Sequence, residues 1–267
     1  QALARAHPIP ALDWGPAGVF MGYDFHLAAD GPKLIEINSN AGGALLNAAL
    51  ARAHRACCAG LEPLLDPADT LLRLDDTFIA MFRSEWQSQR GDAPWRNVLI
   101  VDDAPDQQYL APEFQMARAL LASHGLVAVV ADARELQWHD GALWHPALPD
   151  GMPVDLVYNR LTDFYLQDPG HQALQQAYRA GAAVVTPHPR THALHADKRN
   201  LITLSDPALL DAMGVGASDR DLLSQVVPAT QPVTAHNADT LWAQRRTLFF
   251  KPAAGFGSKA AAPPSRS

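Results

Sequence analysis

The feature that most constrains the fold is a regular alternation of apolar strands and helices through the middle of the chain. Short, continuously apolar runs are typical of strands that are buried on both faces of a parallel sheet. Such a run occupies residues 98–101, and further strands with mostly apolar residues are predicted at 126–130, 154–158 and 183–186. Segments with apolar residues at helical spacing lie at 112–124 and 170–180, and a small hairpin is expected at 135–145, with its turn at Asp140-Gly141. Strands that alternate with helices predict an α/β fold with a parallel sheet.

A separate hairpin is predicted before this region. Residues 19–27 and 33–38 have strand patterns, and the Ala-Ala-Asp-Gly-Pro sequence between them has turn chemistry. Because side chains alternate along a strand, Leu34, Glu36 and Asn38 are expected on one face and the residues between them on the other.

The remaining segments are predicted mostly from helical patterns and their caps. We expect helices at 44–59, 76–89, 192–204 and 207–213. The apolar run 248–251 predicts a strand that leads into a glycine-containing loop at 252–259.

The composition is that of a folded globular protein, with 48% hydrophobic and 18% charged residues in a chain of 267. The net charge of −7 argues against a general nucleic-acid-binding protein, which would normally carry a basic patch. No stretch approaches the roughly 20 apolar residues that span a bilayer, so no membrane partner is expected. The two cysteines, Cys57 and Cys58, are adjacent and match no zinc-ligand spacing, and a reducing cytoplasm is the expected location.

Asp24, Glu36 and Asn38 form a candidate metal site on the predicted hairpin. If the turn is centred near Asp30, Asp24 lies opposite Glu36, and the two residues of the Glu-x-Asn pair point to the same face. Two carboxylates and an amide oxygen are ligands that Mg²⁺ prefers. The plainer interpretation is a solvated strand face with alternating acidic residues.

Two lysines are candidates for contacts with phosphate. Lys251 follows the predicted strand 248–251, and the glycine-containing loop behind it could bring backbone N–H groups close to phosphate oxygens. Lys198 opens an apolar helical segment. For each lysine, taken alone, the plainer interpretation is a solvated surface side chain.

Together these motifs resemble those of the ATP-grasp superfamily, which includes D-alanine–D-alanine ligase and glutathione synthetase. Residues 22–43 resemble the metal motif of these enzymes, Lys198 resembles their first phosphate lysine, and 250–258 resembles their second lysine with its flexible loop. Residues 97–190 resemble the pre-ATP-grasp domain. The metal motif normally comes last and here comes first, so the order is circularly permuted, as in proteins similar to glutathionylspermidine synthase.

The resemblance implies an α/β protein with α+β character in its ATP-grasp part. Residues 1–62 are expected to form the segment with the metal motif, and 63–96 a helical connector. Residues 97–190 are expected to form the pre-ATP-grasp domain, and 191–267 a partial ATP-grasp lobe. The segment that should carry the adenine-binding hinge and most of the central sheet is absent between the loop and the metal motif. The low-complexity ending at 260–267 adds to the expectation that the chain is cut short at its carboxyl terminus.

The implied activity is a Mg-ATP-dependent ligation. The γ-phosphoryl group of ATP passes to a substrate carboxylate to give an acyl phosphate, and an amine then displaces phosphate. The resemblance assigns Mg²⁺ to Asp24, Glu36 and Asn38. It assigns the phosphates of ATP to Lys198 and Lys251, and the closing loop to Gly255, Gly257 and Ser258. The expected partners are a small-molecule carboxylate and an amine, and because many members are dimers the resemblance also allows a homodimer.

Arg160 is a candidate substrate-binding residue in the parallel-sheet region. It follows the strand that ends at Tyr158-Asn159, and open α/β sheets present ligand contacts at the carboxyl ends of their strands. A guanidinium group there could clamp a substrate carboxylate through two hydrogen bonds. The turn at 40–43 precedes a helix, so its N–H groups could face the acyl phosphate.

Three alternatives remain open. The first is an ATP-binding module that is incomplete or does not catalyse. The second is a dinucleotide-dependent oxidoreductase, although the strand 98–101 runs into Asp102-Asp103 rather than a Gly-x-Gly-x-x-Gly loop. The third is a zinc site built from His188, His192 and His195, for which no ligand signature is present.

Overall fold

The computed structural model describes residues 8–57 and 68–253, which divide into two compact units. The first unit contains residues 8–21 and 39–193, and the second contains residues 22–38 and 194–253. Their strands and helices, in chain order, are β1 (Gly22–Ala28), β2 (Gly31–Asn38), α1 (Ala44–Cys57), α2 (Ala68–Arg90), β3 (Asn97–Asp102), α3 (Ala111–Ser123), β4 (Val127–Asp132), β5 (Gln137–His139), β6 (Ala142–Trp144), β7 (Leu156–Asn159), α4 (Gln172–Ala180), β8 (Val184–Thr186), α5 (Pro189–His195), α6 (Asn200–Leu204), α7 (Pro207–Ala212), α8 (Ala217–Val226) and α9 (Ala238–Ala243).

The first unit is built on a parallel sheet with the strand order β4-β3-β7-β8. The predicted parallel α/β arrangement is therefore confirmed for this region. Each strand begins within two residues of its predicted start, since short and mostly apolar runs are typical of strands in a parallel sheet.

Alternate strand residues point into two separate apolar cores. On one face the sheet packs against α4 and the β5–β6 hairpin, with a core that includes Leu99, Val101, Val157, Leu174 and Val185. On the other face it packs against α1, α2 and α3, with a core that includes Val98, Ile100, Leu156, Phe82 and Phe114. Helices on both faces are what an open parallel sheet requires.

The β5–β6 hairpin turns where it was predicted to turn. Asp140 and Gly141 both have positive φ, 51° and 71°, which suits a tight turn between antiparallel strands. The helix predicted at 76–89 was wrong at its start, because α2 already begins at Ala68. Asp75 lies inside this helix, where it accepts a hydrogen bond of 2.8 Å from Nη2 of Arg52 on α1.

The second unit contains the β1–β2 hairpin, whose ladder pairs Asp24 with Glu36 as predicted. A β-bulge follows this pair, since the next partners are Phe25 and Leu34, which leaves Ile35 as the extra residue. The bulge resets the alternation of side chains. The expectation that Leu34 shares a face with Glu36 was therefore wrong, and Leu34 instead packs in the core with Ile37.

The helices of the second unit cover that core. Leu34, Leu201 and Val227 are buried at its centre, and Leu204, Leu223 and Val226 pack around them. The single helix predicted at 192–204 was wrong, because residues 196–199 interrupt it and separate α5 from α6. Asn200 contributes to this break, because its side-chain N–H group donates a hydrogen bond of 2.9 Å to the carbonyl of Leu194.

The predicted strand at 248–251 was also wrong in extent. Only Phe250 makes a β-bridge, and no regular strand forms between 248 and 251. Lys251 is described, whereas Gly255, Gly257 and Ser258 lie outside the described residues. Within the ranges that the structure covers, no helix has both the length and the apolar character needed to cross a bilayer.

Candidate functional site

Glu36 on β2 lies between the ammonium groups of two lysines that belong to separate sequence motifs. Its Oε1 is 2.9 Å from Nζ of Lys198, and its Oε2 is 3.6 Å from Nζ of Lys251. The three side chains are 22%, 13% and 23% exposed, respectively, so water screens these contacts only in part. Three of the predicted site residues therefore meet within the second unit.

Asp24 and Asn38 complete this cluster on the same face of the hairpin. Asp24 is the ladder partner of Glu36, and its Oδ2 accepts a hydrogen bond of 3.2 Å from Nδ2 of Asn38. Asn38 is two residues from Glu36, and strand side chains repeat with a period of two, so the two carboxylates and the amide are neighbours. The cluster holds two carboxylates and two ammonium groups and is balanced in formal charge.

The backbone around each lysine holds its side chain toward Glu36. Lys198 lies in the turn before α6, and its N–H group donates to the carbonyl of Ala253 at 3.1 Å. This bond ties the two lysine-bearing segments together. Lys251 also donates from Nζ to the carbonyl of Ile35 at 3.0 Å, which is the extra residue of the β-bulge.

The residues of this cluster fit a magnesium ion that is shared with phosphate groups. Mg²⁺ prefers oxygen ligands and is usually bound by one or two carboxylates, with waters and substrate phosphates in its other positions. Asp24, Glu36 and Asn38 supply such oxygens, although both carboxylate oxygens of Glu36 already contact lysine ammonium groups. In the described part of the chain, no group of three or more His, Cys, Asp or Glu side chains is placed so that it could hold a metal ion.

Arg160 lies in the first unit, directly after β7, where the sequence analysis placed it. Its backbone N–H group donates a hydrogen bond of 2.8 Å to the carbonyl of Val101 and so continues the parallel ladder between β7 and β3. Its side chain is only 7% exposed, and its guanidinium group lies 5.3 Å from the ring centroid of Tyr158. Nη1 donates to Oδ1 of Asn40 and, at 3.0 Å, to the carbonyl of Ala41.

A buried glutamate binds N–H groups at the start of α1, next to the turn at 40–43. Oε2 of Glu113 accepts a hydrogen bond of 2.6 Å from the N–H group of Gly43. Its Oε1 accepts a hydrogen bond of 2.9 Å from the N–H group of Leu45. Glu113 is 3% exposed and so caps the amino end of α1 with a buried charge. In the turn at 40–43, the N–H groups of Ala41 and Gly43 are thus satisfied within the protein, by the carbonyl of Phe20 and by Glu113, so the expectation that these two face an acyl phosphate was wrong.

Acidic residues gather at the carboxyl end of β3. Burial raises the pKa of Asp102 to about 6, although a hydrogen bond from the Asp103 N–H group and the charge of Arg160 oppose this shift. The buried imidazole of His171 bridges Oδ1 of Asp103 at 2.9 Å and Oδ2 of Asp163 at 2.8 Å. Burial alone would lower the pKa of His171, but the two hydrogen bonds to carboxylates outweigh it and raise the pKa.

Two of the three histidines that suggested zinc, His188 and His192, have other contacts. Nε2 of His188 lies 2.8 Å from the carbonyl of Pro16, and burial lowers the pKa of this imidazole. His192 stacks on Phe164 with 3.6 Å between the ring centroids. Both rings are parts of packed surfaces in the first unit, which gives no support to the zinc interpretation.

Sequence reasoning missed Glu113, and it did not foresee that His171 bridges two aspartates. Glu113 acts on a turn 70 positions earlier in the chain, and His171 reaches an aspartate 68 positions away. No local pattern reports contacts of that range. The burial of Glu113 is what marks it as a residue with a specific role, and burial of a glutamate cannot be read from the sequence.

No family model and no curated protein matches this chain. Any functional assignment therefore depends on the arrangement of side chains described above.

Proposed function

We propose that this chain is the ATP-binding part of a circularly permuted ATP-grasp ligase, which activates a substrate carboxylate with Mg-ATP and joins it to an amine. The observation that carries the proposal is the meeting of Glu36, Lys198 and Lys251. The three residues come from motifs that the chain keeps far apart, and each was predicted from a different motif of the family. The chain has only four lysines, so two of them are unlikely to meet at the same carboxylate by chance.

The charge pattern of the cluster suits the terminal phosphates of ATP. The ammonium groups of Lys198 and Lys251 lie next to the proposed metal ligand Glu36. They are therefore close to the place where the phosphate oxygens of a bound Mg-ATP would lie. Lys198 and Lys251 would then exchange Glu36 for phosphate oxygens, while Asp24, Glu36 and Asn38 would hold Mg²⁺. The ion supplies neutralisation of the phosphate charge when it is bound.

In phosphoryl transfer the protein mainly positions the groups and stabilises charge. The lysines would orient the γ-phosphate toward the substrate carboxylate, and an acyl phosphate and ADP would form. Attack by an amine would then release phosphate and leave an amide. None of these steps requires a covalent nucleophile from the chain.

The proposal is tested by thermal unfolding with and without Mg-ATP. A ligand that binds only the folded state raises the melting temperature, with about 2.7 kcal/mol of stabilisation at 100 times its Kd. We expect a magnesium-dependent rise in the wild-type protein that is lost in Glu36→Gln, Lys198→Met and Lys251→Met. Lys33→Met is the matched control, because Lys33 is on the same strand but its Nζ contacts Asp30 and the carbonyl of Gln225.

The outcomes separate the remaining alternatives. A rise that the control also loses would count against the lysine assignment. A specific rise without release of ADP, in a screen of small acids and amines, would favour a module that binds ATP without catalysis. The absence of any rise with ATP would contradict the proposal for this chain.

A further inference from the structure

The outer edge of β1 in the second unit is open. β1 pairs with β2 in a two-stranded sheet, and no other strand of the described ranges pairs with β1. The five central residues of the strand, 23–27, are all exposed. An open edge presents unpaired N–H and C=O groups, and natural proteins usually protect it with lysine, proline or a bulge. β1 has none of these, since the bulge of the hairpin lies on β2.

Three exposed apolar side chains extend the core of the second unit along this edge. Phe25 is the ladder partner of Leu34, which is buried at the centre of that core. Tyr23 is the partner of Ile37, which packs against it. Because directly opposed residues point to the same face of a sheet, Tyr23, Phe25 and Leu27 all lie on the core face. They are 55%, 51% and 81% exposed, and neighbouring exposed apolar side chains of this kind mark an interaction surface.

The order of side chains along β1 is complementary to itself. Residues 23–27 read Tyr-Asp-Phe-His-Leu, in which apolar residues alternate with one acidic and one basic residue. If two copies pair antiparallel with Phe25 on the two-fold axis, Tyr23 of each copy lies opposite Leu27 of the other, and the two Phe25 rings meet. Asp24 then lies opposite His26, whose imidazole N–H group can donate to the carboxylate. Apolar pairs and acid–base pairs at directly opposed positions both stabilise a ladder.

The other registers of this pairing lose the match. An axis at Asp24 would place two carboxylates directly opposite each other, which is unfavourable. An axis at His26 would pair that residue with its own counterpart and leave Asp24 opposite Ala28. A shift by one residue would set apolar side chains against Asp24 and His26 and exchange the two faces of the strand. The side-chain pattern therefore specifies the axis at Phe25.

We propose that the outer edge of β1 is the interface of a two-fold symmetric dimer of this chain, in which the two hairpins form one four-stranded antiparallel sheet. The same patch is used on both copies, so the assembly closes at two subunits. The family resemblance allows a dimer but assigns no surface to it. The pairing also brings His26 of the partner subunit next to Asp24, on the face that carries Glu36 and Asn38. The interface itself does not rest on the proposed ligase function.

The register is tested by cysteine cross-linking in a background that carries Cys57→Ser and Cys58→Ser. Phe25→Cys places two thiols opposite each other, where the Cα atoms of an antiparallel pair are about 4.5–5.5 Å apart and within reach of a disulfide. His26→Cys is the matched control, because its counterpart lies two residues further along the partner strand, about 8 Å away. We expect a covalent dimer for Phe25→Cys under mild oxidation and none for His26→Cys. Equal cross-linking of the two variants would contradict the register.

The dimer itself is measured by sedimentation equilibrium of the protein without nucleotide. We expect a concentration-dependent dimer for the wild type and a monomer for Phe25→Asp, which sets two carboxylates against each other on the axis. Tyr109→Asp is the control and should remain dimeric, because Tyr109 is an exposed aromatic residue of the first unit. His26→Asp should weaken the dimer by opposing two carboxylates, and the addition of Asp24→His should restore it. Circular dichroism verifies that each variant is folded.

Two results would overturn the proposal. One is a wild-type protein that stays monomeric at every concentration, and the other is a dimer that Phe25→Asp leaves intact. The proposed function fails separately, because its test is stabilisation by Mg-ATP. A dimer that Mg-ATP does not stabilise would retain this interface and reject the ligase, and a monomer that Mg-ATP stabilises would do the opposite.

Discussion

Glu36 and Lys198 form an ion pair with 2.9 Å between Oε1 and Nζ, although more than half of the chain separates them. The pair brings a strand of the amino-terminal hairpin together with the turn that precedes α6. Lys251 approaches the second oxygen of the same carboxylate at 3.6 Å. One carboxylate thus organises two cations, and its removal should affect both.

The two contacts of Glu36 should differ in strength. A double-mutant cycle with Glu36→Gln and Lys198→Met, in the absence of nucleotide, should give a coupling energy of about 1 kcal/mol. The cycle with Lys251→Met should give less, because that contact is longer and Lys251 is the more exposed lysine. Urea unfolding measures both cycles, and a larger coupling for Lys251 would contradict the geometry.

The capping carboxylate of Glu113 should be important for stability. Glu113→Gln removes a buried charge that accepts two backbone hydrogen bonds, at 2.6 Å from Gly43 and 2.9 Å from Leu45. We expect a loss of roughly 1–3 kcal/mol in the free energy of unfolding. Glu135→Gln, at an exposed glutamate, is the control and should change stability by about 0.5 kcal/mol or less. Equal losses in the two variants would contradict the capping role.

The parts of the fold that could be predicted from sequence are those in which local pattern and burial agree. The strands β3, β7 and β8 were visible because they are buried on both faces, which leaves mostly apolar runs. The edge strand β4 is only partly buried, but its residues are also mostly apolar. The pairing of Asp24 with Glu36 followed from the position of the turn between their strands. In both cases a short stretch of chain carries the whole signal.

The parts that could not be predicted depend on single residues or on contacts between distant segments. The bulge at Ile35 adds one residue to a strand and reverses every side chain beyond it, yet it leaves no mark in the apolar pattern. The break before α6 is stabilised by the side chain of Asn200, and a helical pattern runs across it without change. The meeting of Glu36 with two lysines was expected only through the family resemblance, because no local rule brings those segments together.

Asp102 should reduce stability at neutral pH. Burial raises its pKa from 3.8 to about 6, so the folded state binds the proton more tightly than the unfolded state. The contribution of Asp102 to the free energy of unfolding therefore falls as the pH rises from about 4 to 6. Asp102→Asn, which cannot ionise, should raise the free energy of unfolding at pH 7 by roughly 1–2 kcal/mol. The gain should vanish near pH 4. Asp92→Asn, at an exposed position, should give no such pH-dependent gain, and a loss of stability in Asp102→Asn at pH 7 would contradict the prediction.

His171 should stabilise the fold in its charged form. Its two ring nitrogens lie 2.9 and 2.8 Å from carboxylate oxygens of Asp103 and Asp163, with Asp102 also near, and both contacts are strongest when the imidazole is protonated. The pKa of His171 is raised in the folded state, so its stabilisation is fully present below the unfolded value of 6.5. It is lost as the pH rises through the raised pKa.

The measurement is the difference in unfolding free energy between the wild-type protein and His171→Gln, at several pH values from 5.5 to 9. We expect the difference to be largest at the acidic end and to shrink as the imidazole loses its proton, because glutamine cannot carry the charge that the two carboxylates stabilise. His139→Gln is the control, since His139 contacts Asp140 in an exposed turn where water screens the pair. Its difference should stay small at every pH. A difference for His171→Gln that is constant, or that grows with pH, would mean that packing of the ring, and not its charge, holds the two aspartates in place.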